Sequence, residues 1–328
     1  MENRKDQHVA FALQQQAFQK PSAFDDVILE HVSLPHLNVN DVDISTSFAG
    51  LKLSSPLYIN AMTGGSEKTK AINEKLAEVA KRCHIPIASG SLSSALKDPS
   101  LSESFTVLRD KNPDGLIFAN IGAEYDVEAA KRAVSLLQAD ALQIHLNVIQ
   151  EIIMHEGDRD FSMWKKNIED IVKTLDVPVI VKEVGFGMSA QTFEALKQLG
   201  VKTIDVSGKG GTNFAQIEND RYKDEHMSYM NDMGITTVQS LKYSKDYQDE
   251  IEILASGGIR NPLDVVKALA MGAKAVGISG LILKTVEQEG VDKTVALIKK
   301  WEAEIKLIMV ALDVQNINDL RKIHIQYK

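Results

Sequence analysis

Residues 255–280 read ASGGIRNPLDVVKALAMGAKAVGISG. Two short apolar runs, 251–255 leading in and 275–278 near the end, stop at small residues: Ser256-Gly257-Gly258 and Ser279-Gly280. Between them 262–271 has helical spacing, with Leu263, Val266, Leu269 and Ala270 on one face and Gly272 placed to end the helix. Glycine at a strand's end lets backbone N–H groups approach an anion closely, and a following helix N-terminus favours negative charge. Two such edges on the last two strands of a chain are the phosphate grip of a (β/α)8 barrel. The stretch therefore points to an enzyme that holds a phosphorylated cofactor or substrate.

The same alternation extends back through the chain. Apolar runs at 57–61, 85–88, 116–121, 141–146, 177–184 and 203–206 join the two above to make eight. Helical patterns at 68–82, 127–137, 161–175 and 190–199 separate them. Strands that are apolar on both faces, alternating with amphipathic helices, mean a parallel sheet covered by helices, and eight of them favour a closed TIM barrel. We expect one domain: an N-terminal extension at 1–55, a barrel core at 56–285 and a C-terminal helical segment at 286–328. In that last segment Ile298, Trp301, Ile305 and Ile308 recur at helical spacing. The connection from Gly208 to about Gly234 is long, polar and glycine-rich at its start, which is the make-up of a lid.

Composition narrows the class of protein. The chain has 328 residues, with 37 basic against 45 acidic side chains and a net charge of −8, which gives no basic surface for nucleic acid. Cys83 is the only cysteine, so neither an intramolecular disulfide nor a sulfur-rich metal site is available. The opening residues MENRKDQHVAF have no signal-peptide core, and no run is long and apolar enough for a membrane span. The expected location is the cytoplasm.

In a barrel of this kind the residues at the C-terminal strand ends carry the chemistry. Here they are Asn60, Thr63, Ser89, Ser91, Asn120, Gln143, His145, Asn147, Gln150, Glu151, Lys182, Ser207 and Thr212. A lining of amides and hydroxyls with one lysine suits a flavin mononucleotide, the lysine stabilising negative charge on the reduced ring. The blander alternative for Lys182 is a salt bridge inside the barrel mouth. His145 and Asn147 face one side of their strand by alternation, although a strand histidine is often simply a satisfied structural residue. Glu151 is a lone carboxylate, suited to Mg²⁺ if phosphate oxygens and waters complete the shell. Otherwise it is an ordinary helix-start acid. Arg4, Lys5 and His8 form either a solvated basic tail or a clamp on a diphosphate.

Taken together these residues resemble the type 2 isopentenyl-diphosphate isomerases, FMN-dependent enzymes of isoprenoid biosynthesis. The matching segments include RKDQH (4–8), INAMTGG (59–65), SALKDPS (94–100), IFANIG (117–122), LQIHLNVIQE (142–151), VPVIVKEVGFGMS (177–189), GGTNF (210–214), IEN (217–219) and ASGG (255–258). The chain departs from the family pattern at Leu92, where glutamine is expected. The resemblance implies that Ala61, Met62, Thr63, Ser91, Asn120, Lys182, Ser207 and Thr212 hold FMN. Its phosphate would sit on Gly257, Gly258, Ile259, Ser279 and Gly280. It implies that Arg4, Lys5, His8, Ser91 and Ser93 bind the substrate, that His145, Asn147 and Gln150 act on it, and that Glu151 takes Mg²⁺. NADPH or NADH would reduce the flavin, and the assembly would be a homotetramer or homo-octamer. The implied reaction moves the double bond of isopentenyl diphosphate to give dimethylallyl diphosphate. The main alternative is an FMN-dependent oxidoreductase of the hydroxy-acid oxidase type; a non-catalytic phosphate-binding barrel is the other.

Overall fold

The chain is described here by a computed structural model, which covers residues 4–16, 21–222 and 226–328. Eight parallel strands close into a barrel: β1 (Leu57–Ile59), β2 (Ile87–Ala88), β3 (Ile117–Gly122), β4 (Ala141–Leu146), β5 (Val179–Glu183), β6 (Thr203–Asp205), β7 (Glu252–Ser256) and β8 (Ala273–Ile278). Each pairs with its neighbours in chain order, and β8 closes on β1 through Val276 opposite Leu57. All eight apolar runs read from the sequence are barrel strands: four are shorter than the run, and the last begins two residues earlier, at Ala273.

The covering helices follow the expected pattern. Glu67–Cys83 has a capping box at Ser66 and Thr69, and Ile72, Leu76 and Val79 on its buried face. Val127–Leu137, Trp164–Thr174, Ala190–Gln198 and Pro262–Ala270 each follow one strand and return to the next. One detail differs: Leu263 is 42% exposed, while Val266, Leu269 and Ala270 are buried. Asn261 caps this helix through Asp264 N–H, which places Leu263 in the first turn on the open side of the stripe. Gly272 has φ +107°, so it ends the helix in a conformation other residues rarely adopt. The expected C-terminal helix runs Val291–Ala311, burying Ile298, Trp301 and Ile305; Ile308 packs on the same core.

The N-terminal extension contributes no barrel strand. Its hairpin, Thr46–Phe48 and Leu51–Leu53, plugs the N-terminal end of the barrel. Phe48 is fully buried against Tyr58 and Phe118, with ring centroids 6.4 and 6.1 Å away. Another short strand, Val27–Leu29, pairs antiparallel with Ile325–Tyr327 and ties the two chain ends together. The first helix, Arg4–Gln15, lies at the opposite end, across the barrel mouth, with Val9 buried. Among the described residues no helix is long and apolar enough to cross a membrane. Cys83 is a buried free thiol whose burial pushes it up to about 11, an inert packing residue.

Candidate active site

A cavity of about 690 Å³ opens at the C-terminal ends of the strands, a volume typical of small-molecule sites. Apart from Ser89 and Gln143, which are buried behind the wall, every site residue expected from the sequence lines it, from Arg4 on the first helix to Gly280 after β8. Three regions build it: a glycine end, an amide-lined floor and a basic roof.

The glycine end lies where the loops after β6 and β7 touch. Gly257 has φ +89°, and a Cβ there would stand 2.1 Å from the carbonyl oxygen of Gly208. Gly258, φ +76°, is less tightly confined, a Cβ there standing 3.2 Å from the backbone of Gly210. Ser22 holds this loop from outside, its Oγ donating to Gly258 O (3.3 Å), and Arg260 binds Asp25 and Asp264. The two helices that begin here differ. Pro262–Ala270 is capped by Asn261, whereas Gly280–Gln288 has no side-chain cap at Ser279. Its first N–H groups, with no side-chain cap among the described residues, make the β8 end the better anion seat.

The floor is built from inward-facing residues of successive strands. Lys182 is buried, and its Nζ donates to the main-chain oxygen of Glu183 (2.6 Å), not to a carboxylate. It stands beside His145 on one side and Asp205 on the other in strand register. Asp205 is wholly buried and accepts from Tyr58 Oη, Asn60 Nδ2, Ser256 Oγ and Ser207 N–H. Burial lowers Lys182 from its ordinary value, and Asp205 and Glu183 oppose that shift. Glu183 itself turns away from the cavity, as alternation predicts, and binds the N–H groups of Val184, Gly185 and Phe186. Burial, Lys182 and Lys5 push His145 down to about 3, so its imidazole is neutral. The hydroxyl of Thr63 is buried with no partner among the described residues, and so is Asn147 Oδ1. Unspent polar atoms, the glycine cradle and a cation in the floor together fit a polar, phosphate-bearing heterocycle.

The roof comes from the first helix. Lys5, His8, Ala12 and Gln15 all face the cavity, three or four residues apart on one helical face. Gln15 clamps the loop after β6 from both sides, donating to Asn213 O (3.1 Å) and accepting from Asn213 N–H (2.8 Å). Asp6 accepts from Ser66 Oγ at 2.6 Å. His8 Nε2 lies 3.0 Å from Glu218, a fully buried carboxylate that also binds Gln150 Nε2 (2.6 Å) and Arg221. Burial would raise Glu218, but the bonds from His8, Gln150 and Arg221 hold it below its ordinary value. The long connection read as a lid carries Glu218 on a helix, Phe214–Arg221; residues 223–225 lie outside the described part.

Beside the roof, Glu151 binds Asn147 Nδ2 (2.7 Å) and Asp158 N–H (2.8 Å) through its two oxygens. Glu124 lies in the same cavity, and burial, Glu151 and Asp158 push it up to about 7. Among the described residues no group of three or more His, Cys, Asp or Glu could hold a metal ion. Any metal at Glu151 must take its remaining ligands from substrate and water. Ser91 and Ser93 share a 2.8 Å hydrogen bond, and the Leu92 between them is fully buried. The departure at position 92 therefore turns into the core and leaves both serines facing the cavity.

Asp205, Glu124, Glu218 and Gln15 were not singled out from the sequence. Glu218 stood within the matching segment IEN but drew no role. The steps of three and four residues from Lys5 through His8 to Ala12 were the available signal for a helix over the mouth.

A family model described as FMN-dependent dehydrogenase matches residues 120–327. Solved structures share the fold. A mandelate oxidase mutant with a monooxide FMN adduct aligns with TM-score 0.66 and 16% identity over 98% of this chain and 92% of that one. A flavocytochrome b2 variant with sulfite bound gives 0.70 and 19% over 99% and 83%. The class is thus that of FMN-dependent barrels. More specific relatives are proteins named isopentenyl-diphosphate delta-isomerase. The one from Latilactobacillus sakei subsp. sakei (strain 23K) is 52% identical over 97% of this chain and 91% of its own length. The one from Staphylococcus aureus (strain N315) is 50% identical over the same shares. The chain belongs to the isopentenyl-diphosphate delta-isomerase family, and the match to an FMN-dependent family agrees with its type 2 class.

Proposed function

We propose that this protein converts isopentenyl diphosphate to dimethylallyl diphosphate with FMN bound on the barrel floor. The observation that carries this reading is a single cavity joining a glycine-lined anion seat and a buried lysine to a second, basic anion site under the first helix. One anion site suits the flavin phosphate and the other the substrate diphosphate. Ala61, Met62, Thr63, Ser91, Asn120, Lys182, Ser207 and Thr212 would hold the flavin. Its phosphate would rest on Gly257, Gly258, Ile259, Ser279 and Gly280.

Reduced FMN, when bound, would supply proton donation and acceptance beside the alkene. NADPH or NADH would serve only to reduce it. Lys182 places a positive charge where the reduced ring gains negative charge. Arg4, Lys5 and His8 would close on the diphosphate and, with their helix, keep water from the reacting carbons. Glu151 would hold Mg²⁺ against the same phosphates through its carboxylate. His145, Asn147, Gln150 and Ser93 would orient the substrate's carbon end; the neutral state of His145 argues against its supplying the proton.

The test is a product assay on isopentenyl diphosphate with FMN, Mg²⁺ and NADPH. Many turnovers per NADPH consumed are expected, because the reaction has no net redox change. Consumption of one reductant or oxidant per turnover, on a hydroxy acid, would instead support the oxidase alternative. The homotetramer or homo-octamer expected for the family is part of this proposal, and sizing of the FMN-loaded protein tests it.

A further inference from the structure

Five polar side chains in the floor join into one directed chain of hydrogen bonds. It starts at Asp205, where Tyr58 Oη (2.7 Å), Asn60 Nδ2 (2.8 Å), Ser256 Oγ (2.8 Å) and Ser207 N–H (3.0 Å) converge. With four donors around it, the carboxylate acts purely as an acceptor. Asn60 must therefore turn its NH₂ toward Asp205, which leaves Oδ1 on the far side. There Oδ1 accepts from Ala61 N–H (2.8 Å) and from Gln143 Nε2 (3.3 Å). Gln143, its NH₂ so committed, offers Oε1 to Asn120 Nδ2 (3.2 Å). Asn120 in turn offers Oδ1 to His145 Nδ1 (2.7 Å). An amide oxygen can only accept, so the proton of a neutral His145 must sit on Nδ1.

Each amide alone could be flipped. Together, with an acceptor-only group at one end and a main-chain N–H fixing Asn60, they have one consistent direction. We propose that Asp205 is a positioning residue which, through Asn60, Gln143 and Asn120, fixes His145 as the Nδ1–H tautomer and leaves Nε2 as its acceptor nitrogen. The residues come from β6, β4, β3 and the position just after β1, so the barrel's register assembles the chain; no segment of sequence contains it. Gln143 is completely buried and does not line the cavity, which makes it a link and not a ligand contact. The role in catalysis rests on the isomerase function proposed above; the tautomer does not.

The experiment is ¹⁵N NMR of histidine-labelled, FMN-loaded protein, with the His145 signals assigned by their loss in His145→Gln. The wild type is expected to show a pyrrole-type Nδ1 and a pyridine-type Nε2. Gln143→Met cuts the chain at its middle while conserving volume. It should bring the tautomer ratio about tenfold closer to unity, the equivalent of one hydrogen bond. Isomerase turnover should fall while KM for isopentenyl diphosphate holds. Tyr58→Phe removes a different bond to Asp205 and should leave the His145 signals where they were. If Gln143→Met does not fold, Asp205→Asn reads the same quantity, because an amide there can donate and so releases the direction of the chain. A pyridine-type Nδ1 in the wild type would overturn the proposal. So would an unchanged ratio in the chain variants, or an equal change in Tyr58→Phe. Loss of isomerase activity in the wild type with the tautomer as described would instead sink the function and leave the relay standing.

Discussion

Two residues along a single strand separate the closed end of this barrel from its working end. On β1, Tyr58 packs against Phe48, while Asn60 faces the cavity. On β3, Phe118 belongs to the same aromatic group and Asn120 to the cavity. On β4 the inward series is Ala141, Gln143, His145, from apolar to fully functional over one pleat repeat each. The lower layer is held by ring packing, which is strong and nondirectional. The upper layer is held by hydrogen bonds whose direction matters more than their number. A change below should cost stability and spare function; a change above should do the reverse.

The largest effect tests the lower end. Phe48→Ala empties a fully buried site under Tyr58 and Phe118. A loss of about 3–5 kcal/mol in unfolding free energy is expected, measured by denaturant melts. FMN bound per folded molecule should stay the same. If the flavin is lost before the fold, the two ends are not independent.

Next comes the upper end. Glu151→Gln keeps the volume of the side chain and an oxygen to accept from Asn147 or Asp158, but removes the charge proposed to hold Mg²⁺. Turnover should fall about a hundredfold or more, since a metal at a phosphate supplies several kcal/mol. The melting temperature should hardly move. Near-normal turnover at low Mg²⁺ would remove Glu151 from the metal role.

Deleting residues 1–8 probes the roof. It takes away Arg4, Lys5 and His8 but leaves Val9, the buried residue of that helix, in place. KM for isopentenyl diphosphate should rise about tenfold or more, since charge-assisted bonds contribute roughly 1.5–3 kcal/mol each. The FMN dissociation constant should be nearly unchanged, because the proposed flavin contacts begin at Ala61. An unchanged KM would remove the diphosphate clamp from this helix.

What the sequence disclosed follows the same division. Buried parallel strands announce themselves as apolar runs, so all eight were legible, and the glycine ends marked the proposed anion seat. Residues proposed to act singly at strand ends, such as Lys182 and His145, were legible by alternation. Asp205 was not, because a lone acid inside the apolar run 203–206 carries no sign of its partners; only register brings Asn60, Ser256 and Lys182 around it. The plug hairpin escaped because strands of three residues leave no periodic trace. Glu218 escaped because its partners, His8 and Gln150, lie far away in sequence.

The smallest expected effect is an absence of change, and it tests the upper end most finely. Burial, Lys182 and Lys5 hold His145 at about 3, far below the ordinary range of histidine. For a base whose charged form is disfavoured in the folded protein, the proton is already gone well below neutral pH. Its charge therefore stays constant from about pH 5 upward. The profile of kcat/KM should then show no inflection owed to this ring between about pH 5 and 8, where an unperturbed histidine near 6.5 would produce one. Ionisation of the substrate diphosphate can still bend the curve, so the comparison is with His145→Gln, in which every other group is present. Both proteins should bend at the same pH, with the variant lower throughout. A limb near pH 6.5 that vanishes in His145→Gln would show a titrating imidazole, and the floor of the cavity would then be wetter and less directed than its hydrogen bonds imply.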